Sequence, residues 1–268
     1  MNQHEDKRMI RRTYKTGIAI AVALTAAMPG VASACELFHG IRVEMQSGSY
    51  RATLNDVFLE DRGTKLSSTD GSVSQSSYEY RLDEWLVPGK NIVNIDYDGS
   101  AGEFTIFARC KGSYDDDHVV ETASFTSSAS RQLSFEHQGP LEDIYLKADI
   151  AGDEGLLDAV KKLQEAARTR DVETILRMHA PMIEEFGRRM GSTEGITSYL
   201  RTILPSHPAV IEETLTVTPV MGGRVYQIFG PGGQPPISVS GKTENGSFSW
   251  PGGVYWARFG DEWAVVAN

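Results

Sequence analysis

Leu156-Leu157-Asp158-Ala159-Val160-Lys161-Lys162-Leu163-Gln164-Glu165-Ala166-Ala167 is the first stretch of this 268-residue chain with a helical period. Leu156, Leu157, Val160, Leu163 and Ala167 fall on one face, and Asp153 stands where an N-cap is expected. Everything between residue 36 and this point reads differently. Residues 41–45, 78–82, 92–97 and 104–108 alternate apolar and polar with period two, which marks half-buried strands. Ser/Gly/Asp clusters at 67–77, 98–102, 113–117 and 124–130 separate them as turns. Seven or so short strands at this spacing predict an all-β antiparallel sandwich.

Downstream, a second helix starts at Asp171 and turns Val172, Ile175, Leu176 and His179 inward, until Pro181 bends or ends it. Apolar residues continue through 182–190. A third helix, capped by Ser192 or Thr193, carries Ile196, Tyr199, Leu200 and Ile203 and stops at Pro205. Strands return at 211–218, 224–229, 237–241, 247–250, 253–259 and 263–267. Gly222-Gly223 and Gly260-Asp261 suit hairpin turns, and 230–236 reads as a loop or lid. Three helices followed by a curled antiparallel sheet is α+β. The expected plan is two domains, a β-sandwich at 35–150 and an α+β domain at 151–268, hinged at 148–153.

The first 34 residues read as a signal peptide. Lys7, Arg8, Arg11, Arg12 and Lys15 precede an apolar run of about 12 residues, and Ala32-Ser33-Ala34 is an A-x-A cleavage site. A membrane span needs about 20 apolar residues, and no later run reaches that. Export of a bacterial protein to the periplasm is the expectation, with a lipid anchor at Cys35 as the alternative. Cys35 and Cys110 are the only cysteines. In an oxidising compartment they suit a disulfide, and a lipidated Cys35 excludes it. Without residues 1–34 the chain has 21 Lys+Arg against 34 Asp+Glu, a net of −13. That argues against nucleic acid and anionic lipid as partners, and permits a basic protein or a cation.

Two resemblances follow from short motifs. Tyr50-Arg51-Ala52-Thr53-Leu54-Asn55-Asp56 and Trp85-Leu86-Val87-Pro88-Gly89-Lys90-Asn91-Ile92-Val93 resemble jelly-roll sandwiches related to galactose-binding modules. Residues 166–172, Met178-His179-Ala180-Pro181 and the hairpin at 255–265 resemble the NTF2-like (SnoaL-like) family, a cone of sheet wrapped by helices around a pocket. The span 187–193 is too short for the hairpin that many members carry there. The second resemblance implies an apolar cavity in which a second-helix residue, here His179, faces the pocket.

On that basis His179 is the candidate general base, set against a core histidine flanked by Ile175 and Ile183. Tyr226, Trp250, Trp256 and Trp263 are the candidate ligand-binding residues. Tyr255 and Trp256 cannot both line one pocket, because adjacent strand residues point to opposite faces. Trp85 and Tyr80 offer rings for a sugar, or simply pack the sandwich. Asp115-Asp116-Asp117-His118 reads as a solvated turn rather than a cation site. Asn94, Asp96, Asp98 and Gly99 imitate a calcium loop, but Thr105 stands where its bidentate Glu belongs. HExxH, GxSxG, CxxC and GxxxxGK[ST] patterns are all missing, so no metal and no cofactor is expected. The expected function is a non-catalytic periplasmic binding or accessory protein that holds a protein or small-molecule ligand. The rival classes are an isomerase- or dehydratase-type pocket enzyme, and a carbohydrate-binding envelope protein or toxin-neutralising immunity protein.

Overall fold

The structure, a computed structural model, describes residues 37–64, 76–110, 117–243 and 246–268. Residues 1–34, where a signal peptide is expected, and Cys35, Asp115 and Asp116 lie outside them. Two long strands, β1 (Leu37–Leu54) and β4 (Gly89–Cys110), pair antiparallel along almost their whole length. β2 (Val57–Thr64) and β3 (Ser76–Arg81) pair with the second and first halves of β1. β5 (His118–Phe125) and β6 (Ala129–His137) pair with the second and first halves of β4.

The expected turn at 98–102 is not a turn: β4 runs straight through it. The β1–β4 register skips Gln46 on one strand and Ser100 on the other, so each strand carries one compensating bulge. The extra residue shifts the inward set from Ile41, Val43 and Met45 to Tyr50, Ala52 and Leu54 on β1. On β4 it shifts from Val93, Ile95 and Tyr97 to Phe104 and Ile106. All eleven side chains lie in one core, so the sheet curls without breaking. Gly48 makes the bulge sterically feasible: its φ is +120°, and a Cβ there would stand 2.7 Å from Gly99 Cα.

The helical half begins after a short 3-10 turn at Ile144–Lys147. Helix α1 (Leu156–Thr169) starts from Gly155, at φ 77°, and Asp153 does not cap it. Asp153 contributes its carbonyl instead, accepting from Leu156 N–H at 3.0 Å. Leu156, Val160, Leu163 and Ala167 are buried as expected, but Leu157 is 46% exposed. One residue further round a helix is about 100°, which carries Leu157 off the buried stripe. Asp171 caps α2 (Val172–Met178), accepting from Thr174 N–H at 3.1 Å. Pro181 does not simply end this helix. It sits in the first turn of α3 (Ala180–Met190), where its missing N–H costs nothing. Helix α4 (Glu194–Ser206) follows Gly191, Ser192 and Thr193 and contains Pro205 in its last turn.

The expected strand at 211–218 is two strands. β7 (Ala209–Ile211) pairs with β10 (Ile237–Thr243), which also pairs with β11 (Gly246–Gly252). β8 (Thr216–Val220) pairs with β9 (Val225–Phe229), which continues to β12 (Tyr255–Phe259) and β13 (Glu262–Ala267). The crossing between sheets is held by Gln164 on α1, whose Nε2 donates to the Glu212 carbonyl at 2.8 Å and the Pro236 carbonyl at 3.2 Å. The architecture is thus mostly antiparallel β with four α-helices among the described residues.

The helices and the inner faces of β9–β13 enclose one core. The first core also takes in Val220, Met221, Val225, Tyr255 and Val266, so residues on both sides of 148–153 share it. Glu36–Asn268 forms one compact unit. No helix among the described residues is long and apolar enough to cross a membrane.

Candidate functional site

Trp85 has φ +71°, a left-handed conformation that a bulky side chain adopts only under constraint. Such strain costs roughly 1–3 kcal/mol and tends to mark functional positions. The constraint comes from two asparagines. Asn55 lies in the β1–β2 turn, where Asn55 and Asp56 both have positive φ. Its Nδ2 donates to the Trp85 carbonyl and to Asn91 Oδ1, both at 2.8 Å, and its Oδ1 accepts from Ile92 N–H at 3.0 Å. Asn91 is 0% exposed. Its Nδ2 donates to the carbonyls of Val87 and Gly89, and its Oδ1 accepts from Val87 N–H. The two sequence motifs at 50–56 and 85–93 are therefore one hydrogen-bonded unit. Met221 N–H donates to the Asn55 carbonyl at 2.9 Å and ties that unit to the second half of the chain.

Beside this unit lies a cleft of about 290 Å³, with Tyr80, Arg81, Glu84, Trp85, Tyr255 and Asn268 in its wall. The Trp85 ring packs against Tyr145 at 5.1 Å and Tyr255 at 4.7 Å between centroids. It is only 8% exposed, so it is not an open platform for a sugar ring. Tyr80 and Tyr50 hydroxyls are 3.0 Å apart. The Tyr255 hydroxyl accepts from Gln227 Nε2 at 3.0 Å, and burial pushes this phenol's pKa up.

The charges on the rim are paired. Arg81 meets Asp83, and Glu84 meets Arg189 at 2.9 Å. Arg189 also bonds Glu185 at 2.6 Å and the buried carboxylate of Asp143 at 2.7 Å. Burial pushes the Asp143 carboxyl up and Arg189 pulls it back.

Of the residues expected at a site, Trp85 and Tyr80 line this cleft, whereas His179, Tyr226, Trp250, Trp256 and Trp263 do not. His179 is 0% exposed at the junction of α2 and α3. Its Nδ1 is 2.8 Å from the Ile175 carbonyl, and its ring lies 5.4 Å from that of Trp250. Burial lowers its pKa to about 4, against smaller upward pulls from the Ile175 carbonyl and the Asn268 side chain. No described carboxylate or tyrosine hydroxyl hydrogen-bonds it. Trp250 Nε1 is buried without a partner among the described residues. Trp256 is 0% exposed and donates to the Gly253 carbonyl at 2.7 Å. Trp263 donates to the Glu154 carbonyl at 3.0 Å and stands edge-on to Tyr226, whose hydroxyl donates to the Ala151 carbonyl.

Tyr255 and Trp256 do point opposite ways, Tyr255 to the cleft and Trp256 to the helix-covered core. Alternation in the sequence shows that they diverge. It does not show which side carries the opening.

The other motifs resolve into structure. Asp117 is held by Arg109 and Arg42, which lower its carboxyl to about 2. Asn94, Asp96 and Asp98 hydrogen-bond across to Gln132, Ser130 and Ser128, as a strand face does. Residues 230–236 close on themselves, with Gly230 N–H donating to the Gln234 carbonyl at 2.7 Å. Cys110, the last residue of β4, is not a free thiol, while its expected partner Cys35 lies outside the described residues. A broader, open groove of about 800 Å³ runs between α2, α3 and α4 over Leu176, Ala180 and Ile183. Comparison with known proteins finds no matching family, no matching curated protein and no matching solved structure.

Proposed function

We propose that this chain is an exported, non-catalytic binding protein that holds a small ligand in the cleft beside Trp85. The observation that carries the reading is the strained Trp85, braced at the cleft wall by Asn55 and the fully buried Asn91. Backbone strain of this kind persists only where the surroundings over-determine it, and a preformed aromatic wall is one use for it. A periplasmic location rests on the signal-peptide reading of residues 1–34. The curled six-stranded half is read as the jelly-roll-like sandwich, and the helix-covered half as the NTF2-like cone. The Cys35–Cys110 disulfide belongs to the same proposal. Leu37, two residues after Cys35 in sequence, pairs with Cys110 across the β1–β4 ladder. Intact mass of the exported protein distinguishes the bridge from a lipid at Cys35. The enzyme reading, with His179 as base, has no supporting contact, since a general base must reach the proton it takes.

Native mass spectrometry of the exported protein tests the binding role. A bound small molecule is expected on the wild type and absent from Ala267→Trp, whose side chain fills the cleft. A chain that flies ligand-free from envelope extract, and captures a protein on crosslinking instead, overturns the cleft reading in favour of a protein partner.

A further inference from the structure

His39 on β1 and His137 at the end of β6 face each other, with ring centroids 5.4 Å apart and ring planes at 68°. His39 is 7% exposed and lies over the Phe135 ring at 4.7 Å. His39 Nδ1 and both ring nitrogens of His137 are buried with no hydrogen-bond partner among the described residues. Buried polar atoms are nearly always bonded, so three orphaned ring nitrogens at one place call for an explanation. Strand pairing does not explain the meeting either, because His39 pairs with Ala108 and His137 with Gly89, at opposite ends of β4. The His39 backbone is pinned independently of its ring: its N–H donates to Asp83 Oδ1 at 3.0 Å, and its carbonyl accepts from Leu82 N–H at 2.9 Å. Gly139 crowds His137 so closely that a Cβ there would stand 3.0 Å from Nε2.

Each neutral imidazole offers one nitrogen lone pair. We propose that His39 and His137 together bind one divalent transition-metal ion, with copper(II) bound most tightly. Two imidazoles on one ion at about 2.0 Å place their ring centroids about 5–6 Å apart, and these rings already stand in that relation. Imidazole suits zinc, copper and nickel, and among these divalent ions nitrogen donors favour copper. Among the described residues no set of three His, Cys, Asp or Glu side chains converges. The protein therefore supplies two donors, and the ion keeps positions open to solvent or a further ligand. Neither histidine lines the Trp85 cleft, so the metal site is tested independently of the binding role proposed there.

The test uses the exported chain purified without a histidine tag, titrated with copper(II), zinc(II) and nickel(II) chlorides. One copper(II) per chain is expected, and its electron paramagnetic resonance spectrum should show coupling to two imidazole nitrogens. His39→Phe and His137→Phe, which keep an aromatic ring over Phe135 and at the end of β6, should each weaken binding at least about tenfold. His118→Ala and His207→Ala should leave it unchanged. Circular dichroism identifies a variant that has unfolded, in which case the wild-type spectrum decides. No stoichiometric copper, no two-nitrogen coupling, or unchanged affinity in folded His39 and His137 variants would overturn the proposal.

Discussion

The side-chain amides of Asn55 and Asn91 hydrogen-bond to each other at 2.8 Å, joining the β1–β2 turn to the start of β4. Between them they hold the backbone of residues 85–92 at five points, one of which is the carbonyl of the strained Trp85. A turn and a loop that would each be mobile alone become one rigid wall of the cleft.

Asn91→Ala should therefore be costly. It leaves the Val87 N–H, the Val87 and Gly89 carbonyls and the Asn55 amide without their partner in a dry site. The expected loss is about 2–4 kcal/mol, read as a lowered urea midpoint, with a changed near-ultraviolet tryptophan signal as Trp85 relaxes.

Gly40 lies directly under Phe107, its register partner on β4, and an added Cβ would stand 2.9 Å from Phe107 Cε1. That ring is itself covered by the Arg42 and Arg109 guanidinium groups, at 5.1 and 4.8 Å. Gly40→Ala should destabilise by about 1–3 kcal/mol through overpacking. Adding Phe107→Leu should make the pair less costly than the sum of the singles, because the clash is shared; additive losses in thermal unfolding would refute the contact.

His179 makes stability pH-dependent. Its pKa is about 4 folded against 6.5 for the free side chain, so between these values the unfolded chain binds more protons. Stability is then fully present above about pH 6.5 and is lost as the pH falls toward 4, by about 3 kcal/mol in total. His179→Phe should flatten this part of the stability profile, as measured by chemical denaturation from pH 4 to 7.

Arg189 neutralises the buried Asp143 and also meets Glu185 and Glu84. Arg189→Ala leaves the Asp143 carboxylate with only the longer Arg188 contact at 3.5 Å. Arg189 is partly exposed and screened by solvent, so the expected cost is about 1–3 kcal/mol rather than that of a fully buried pair. Asp143→Asn in the same chain should recover part of it, and no recovery in the urea midpoint would show that the packing of Arg189, not its charge, matters.

Local pattern carried much of the fold. The alternation at 41–45 and 92–97, the helical stripe on α1 and the hairpin at Gly260-Asp261 are written in residues close in sequence, and β1, β4, α1 and β12–β13 follow them. Other features depended on the partner strand. The cluster at 98–102 has turn composition, yet it forms a bulge because β1 carries a matching extra residue at Gln46. Neither strand alone announces that compensation. The candidate site was hidden for the same reason. Trp85, Tyr255 and Asn268 share a wall only because two distant segments close on each other, and His39 and His137, which pair with opposite ends of β4, meet only because the sheet curls. Periodicity reports which way a side chain points from its own element. What it meets there is set by long-range pairing and core packing, and these exist only once the chain has folded.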